Sequence, residues 1–174
     1  MSIRRLTISH GRSASVRSLG LLLFALLFCV TNTQAAVYNF TLGGPPPVAL
    51  NPNTGQTIKV TGSGTFDTVA GSVVGAGSYS ISNSEGRVIE RGNWEATQFS
   101  DFEAQGGISP GIQGGILHLT ITLFPKGGDP VTGVPMTVVC PVEDGGFDED
   151  DDLAAVGAFT VPHGGITVFH LLRP

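Results

Sequence analysis

The sequence predicts an all-β chain, a single small antiparallel barrel or sandwich of about eight to nine strands behind an N-terminal signal peptide. Three observations carry that prediction. Apolar residues recur in short alternating runs rather than at helical spacing. The runs are punctuated by Gly, Pro, Asn and Asp, with 25 Gly and 11 Pro in 174 residues. Beyond residue 36, Gly, Ser, Thr and Val dominate, while Lys and Leu are few.

Residues 1–36 stand apart. Arg4, Arg5, Arg12 and Arg17 precede an apolar run from Leu19 to Val30, followed by small and polar residues ending in Ala35-Ala36. This is the pattern of a secretory leader, removed to leave a chain that starts near Val37. The apolar run is about a dozen residues, short of the roughly 20 that a membrane-spanning helix requires. The predicted organisation is a leader over 1–36 and one all-β domain over 37–174, exported to the periplasm or beyond and of bacterial type.

Within 37–174 the strands are read in order. Val37 to Leu42 opens the domain, and the Pro-rich GGPPPVALNPNTG (43–55) that follows suits a loop lying over it rather than a central strand. Gln56 to Thr68 and Gly71 to Ser82 come next; both carry internal glycines (Gly62, Gly64, Gly71, Gly75, Gly77), the mark of bulges or tight bends in a strongly curved sheet. Asn83-Ser84-Glu85-Gly86 suits a hairpin turn into Arg87 to Arg91. Gly92-Asn93 leads into Trp94 to Ala104, completing a meander. Ile116 to Phe124 is the clearest strand: Leu117, Leu119, Ile121 and Leu123 share one face, and His118, Thr120 and Thr122 the other. Pro125 to Pro130 breaks the chain before Met136 to Cys140. Ala154 to Val161 and Ile166 to Leu172 finish it, the last with both faces largely apolar, as in a central strand.

Charge narrows the functions. Four of the nine Lys/Arg lie in the leader, leaving five against fourteen Asp/Glu, a formal −9; seven of those acids fall between Glu143 and Asp152. The rest of the domain is close to neutral and has no cationic field for nucleic acid or an anionic membrane surface. Cys140 is the sole cysteine after the leader, so no disulfide forms within the domain. Its place at the end of MTVVC reads as a small buried apolar group.

Four residues are the candidates for contact with a ligand. Trp94 reads first as core and second as a stacking platform. Glu95, Gln98 and His118 are the polar groups that a hollow barrel would turn inward. His118 could also serve as a base beside Glu90, Glu95 or Asp101, but the separations of His118, His163 and His170 form no recognised metal spacing. The acidic run EDGGFDEDDD offers Asp144, Asp148, Asp150 and Asp152 as oxygen donors for calcium. Its glycines precede the dense run rather than occupying the sixth loop position, and five consecutive carboxylates repel one another, so a solvated loop is the first reading and a weak Ca²⁺ site the second.

No nucleophile motif, phosphate loop or cofactor fingerprint is present in the sequence. The chain therefore reads as a secreted, non-enzymatic β-domain that binds or supports something extracellular, with no cofactor. Two alternatives are carried forward: a small-ligand barrel or barrel enzyme using polar interior groups, and a calcium-dependent interaction module acting through 143–152.

Overall fold

The computed structural model describes residues 36–140 and 153–173, with the backbone alone at residues 108, 153 and 154. Residues 1–35, nearly all of the expected leader, and the acidic stretch with its four candidate aspartates lie outside the described residues. Ten strands follow one another: β1 (Val37–Leu42), β2 (Val48–Leu50), β3 (Thr57–Asp67), β4 (Ser72–Ser82), β5 (Val88–Ser109), β6 (Ile112–Pro125), β7 (Val131–Cys140), β8 (Leu153–Val156), β9 (Val161–Pro162) and β10 (Thr167–Arg173). There is no helix among the described residues, hence none long and apolar enough to cross a membrane.

The described residues are all-β, and their strands pair antiparallel throughout. Pairing runs β1-β10-β6-β5-β4-β3, and a ladder between β1 and β3 brings that path back to its start. β7 and β8 branch from β6, and β2 and β9 branch from β3. With these branches the sheet is not a clean barrel. β2, β8 and β9 lie against one another, so the two branches meet.

Several strand boundaries differ from those expected. Arg87 to Arg91 and Trp94 to Ala104 are one strand, β5, because Gly92 does not turn; it pairs with Tyr79 on one side and Pro125 on the other. The Pro-rich segment contributes a short strand, β2, whose three residues pair with β3. Ala154 to Val161 divides into β8 and β9 at Gly157, which has a φ of 56° that a side chain would oppose. β10 is one-sided: Thr167 and Phe169 are buried while His170 and Leu172 are exposed, although β1 and β6 both pair with it. Central pairing and two buried faces are separate properties, and only the first holds here.

One inward face holds the core. Phe66 is its centre, with ring centroids 5.2 Å from Tyr38, 4.9 Å from Phe102, 5.9 Å from Phe99 and 6.0 Å from Phe169. Leu117, Leu119, Ile121, Met136, Val138 and Cys140 extend it under β6 and β7. Cys140 is fully buried, which matches its reading as a small apolar group.

The strand glycines are the places where these aromatic rings rest. Gly62 pairs with Gly77 and Gly64 with Gly75 across β3 and β4. A Cβ at Gly62 or Gly77 would come within 2.7 or 2.6 Å of the Trp94 indole, and one at Gly64 or Gly75 within 2.5 or 2.9 Å of the Phe40 ring. Gly92 and Gly115 do the same for Tyr79 and Phe102, each 2.7 Å away. A bare backbone lets a flat ring lie directly on the sheet, and the sheet curls around the rings. The glycines thus set the curvature and seat the large side chains together.

Both tyrosines of the chain face this core, and burial pushes both phenols above their ordinary value of 10.0. At Tyr79 a hydrogen bond from the hydroxyl to Glu90 Oε1 (2.7 Å) adds to the effect. A phenol harder to ionise in the folded state stabilises the fold below its unfolded pKa, and that stability is lost as pH rises through the folded value. The melting temperature is therefore expected to hold to about pH 10 and fall above it. Tyr79→Phe should flatten that alkaline fall while costing about 0.5–1.5 kcal/mol at neutral pH. Phenolate absorbance appearing at pH 10 in the native protein, or an alkaline fall as steep in Tyr79→Phe, would count against it.

Candidate binding face

The polar residues singled out from the sequence gather on the outside of the sheet. β5 carries an extra residue at Thr97 and again at Ser100 relative to β6, where the register shifts. Each bulge reverses the alternation. Ala96, Phe99 and Phe102 consequently turn toward the core after Trp94, while Glu95, Gln98 and Asp101 are exposed. Thr97 Oγ1 donates to the Thr120 carbonyl at 3.1 Å, so the first bulge is fastened by its own side chain.

Opposite these residues on β6 stand Thr122, Thr120 and His118, paired in turn with Glu95, Gln98 and Asp101. His118 is the junction of a row that crosses three strands. Its Nδ1 lies 3.0 Å from Thr137 Oγ1 on β7, with either atom able to donate, and its Nε2 lies 3.9 Å from Asp101 Oδ1. The side chains of His118 and Asp101 are 42% and 63% exposed, so their attraction when His118 is protonated is well screened and worth less than about 1 kcal/mol.

The structure thus brings Glu95, Gln98 and His118 onto one face; of the three carboxylates named beside His118 it sets Asp101 nearest, and it adds Thr137, which the sequence reading had not joined to them. Trp94 belongs to the opposite face. It is fully buried, stacks 6.4 Å from Phe40 and donates from Nε1 to the Thr61 carbonyl at 2.9 Å. Its single polar atom is committed and its ring is covered. His163 and His170 are exposed on a turn and on β10, away from this row in the sheet, and no group of three metal-ligating side chains occurs among the described residues.

Chemically, the row has a hydroxyl, an imidazole and a carboxylate in sequence, the order used to activate a nucleophile. Here the groups stand on a broad sheet face, partly hydrated, rather than at the bottom of a water-excluding cleft. A face of this kind suits exchangeable hydrogen bonds with a partner.

The free edge beside it is guarded. Past Glu95, β5 pairs only with β6, and β4 pairs with β5 only from Ala76 onward. The two strands diverge around a shallow concavity of about 630 Å³ floored by Ser63, Thr65 and Ala76 and bordered by Asn39 and Glu95. Four register shifts along β5, together with Asp101 and Glu103, break the ladder a foreign strand would need. No protein-family model, curated protein or solved structure matches the chain.

Proposed function

We propose that this chain is an exported, non-enzymatic β-domain that works by binding, and that the outer face of β5, β6 and β7 makes the contact. The observation that carries the reading is the division of the side chains: aromatic rings seated on glycines occupy the inside, and Glu95, Gln98, Asp101, His118 and Thr137 lie together on the outside. A packed interior favours recognition at the surface over a ligand held within the sheet. The basic, apolar and small-residue order of 1–36 supports export.

The test has two parts. Exported protein should begin near Val37 by mass; full-length material retained inside the cell would remove the export reading. Labelled protein should then be held by the envelope of the producing cells, and Gln98→Arg, Asp101→Lys and His118→Glu should abolish retention while changing stability by no more than about 0.5 kcal/mol. Retention that survives all three substitutions, or a small molecule found inside the purified protein by native mass spectrometry, would overturn the surface reading. Calcium binding by Asp144, Asp148, Asp150 and Asp152 remains the second proposal. A site of millimolar affinity would stabilise by about 1.4 kcal/mol at tenfold excess, so a melting temperature unmoved by about 10 mM calcium removes it.

A further inference from the structure

A second part of the outer surface has the opposite chemistry. Lys59, Ser80 and Arg91 are in register across β3, β4 and β5, and Thr61, Ser78 and Asn93 form the adjoining row. Lys59, Thr61, Ser78, Ser80 and Arg91 line a concavity of about 250 Å³. Thr61 Oγ1 and Ser78 Oγ are 2.8 Å apart, which holds two hydroxyls side by side on the floor. Neither Lys59 nor Arg91 has an ion pair among the described residues. Glu90, next to Arg91 in sequence, pairs with Ile81 and is exposed; its Oε1 accepts from Tyr79, and it does not line this groove. The Lys126 amide donates to the Arg91 carbonyl at 2.8 Å, which sets a third basic residue beside Arg91 in the turn after β6, outside the lining of this concavity.

Of the five basic residues beyond residue 36, two thus line one groove, in a chain of net negative charge. We propose that this groove is an oxyanion-binding site, in which Lys59 and Arg91 supply charge and the Ser78 and Ser80 hydroxyls donate to oxygen, Thr61 Oγ1 donating to Ser78. Charge-assisted hydrogen bonds to an anion are about twice as strong as neutral ones, and a concave surface of one sign concentrates the field. Two cations suit a single sulfate, phosphate or carboxylate group rather than a nucleic-acid backbone, which needs many more.

The ligand class can come from two sources: a tetrahedral ester group, or the carboxylates of residues 143–152 on a second copy.

The experiment is an amide NMR titration of the purified protein at constant ionic strength with inorganic sulfate, inorganic phosphate and the free peptide EDGGFDEDDD. Site-specific shifts are the readout because sulfate stabilises any fold by exclusion from its surface. Saturable shifts confined to Thr61, Ser78, Ser80, Arg91 and Asn93 are expected with at least one probe. Lys59→Gln and Arg91→Gln should each weaken that probe about two- to fivefold, whereas Arg173→Gln and Gln98→Ala should leave it unchanged, separating this site from the face centred on His118. A preference for sulfate or phosphate assigns an ester group, and a preference for the peptide assigns the second copy. Unsaturating shifts with all three probes, or full binding in the Lys59→Gln/Arg91→Gln double variant, overturns the site.

Discussion

Gly77→Ala is expected to destabilise the domain by about 3 kcal/mol or more, the upper end of what overpacking costs. The added Cβ would overlap the Thr61 carbonyl oxygen and stand 2.6 Å from Trp94 Nε1, the atom that donates to that same carbonyl. Relief would require β3 and β4 to separate, breaking a ladder in the middle of eleven paired residues. Trimming the indole should therefore fail to rescue it: Trp94→Leu combined with Gly77→Ala remains poorly folded because the obstacle is backbone. Gly75→Ala differs. Its nearest obstacle is the end of the Phe40 ring at 2.9 Å, with backbone atoms no closer than 3.3 Å. Phe40→Leu should recover part of the loss, with a coupling of about 0.5–3 kcal/mol in a double-mutant cycle. Gly107→Ala, with only the Ile112 carbonyl 3.7 Å away, should stay within about 0.5 kcal/mol of the parent protein. Denaturant melts of these variants decide it: if Gly75→Ala were as mild as Gly107→Ala, or if Phe40→Leu recovered nothing, Gly75 would be a turn or entropy feature and not a seat for the ring.

This asymmetry also explains what could be read from the chain and what could not. Val37 to Leu42 coincides with β1, and the Leu/Ile face of β6 is buried as its alternation requires, since a period of two needs only the neighbouring residues to be seen. The glycines of β3 and β4 were legible as curvature. Their partners were not, because Phe40 and Trp94 reach them from strands distant in sequence. The candidate face was half legible. Strict alternation sets Glu95 and Gln98 on opposite sides of a strand, and a hollow barrel was then needed to turn the polar groups of that strand inward. Two single-residue bulges bring both to the outside, with Asp101, at a spacing of three. Phe99 and Phe102, at the same spacing, carried the signal: aromatics three apart after Trp94 fit a strand only if it bulges between them. The link from His118 to Thr137 depends on β7 lying beside β6, and the cationic groove on three strands in register. Neither follows from any local pattern.

Phe169→Ala should cost about 3–5 kcal/mol, against a total stability of about 5–15 kcal/mol for a domain of this kind. Phe169 is fully buried, with its ring edge-on to Phe66 and Phe102 at 6.0 and 5.2 Å, so truncation leaves a cavity against the centre of the aromatic cluster. Phe169→Leu keeps most of the volume and should cost roughly half as much. Deleting Thr167–Arg173 is more severe. It removes one of the two partners of every residue of β1, the other being on β3, and the partners of Ile112 and Gln113 on β6, leaving two unpaired edges over an opened core. That variant is expected to lose cooperative unfolding altogether, whereas His170→Ser, at an exposed position on the same strand, should be near neutral. The edges left behind are unblunted by bulge or charge, unlike that of β5, and so are competent to accept a strand supplied from outside. A peptide spanning residues 166–174, added to the truncated protein, should restore a cooperative melt, and the same peptide carrying Phe169→Ala should not. A truncated protein that melts cooperatively on its own would show that the β1 to β3 ladder suffices to close the domain and that β10 is an accessory.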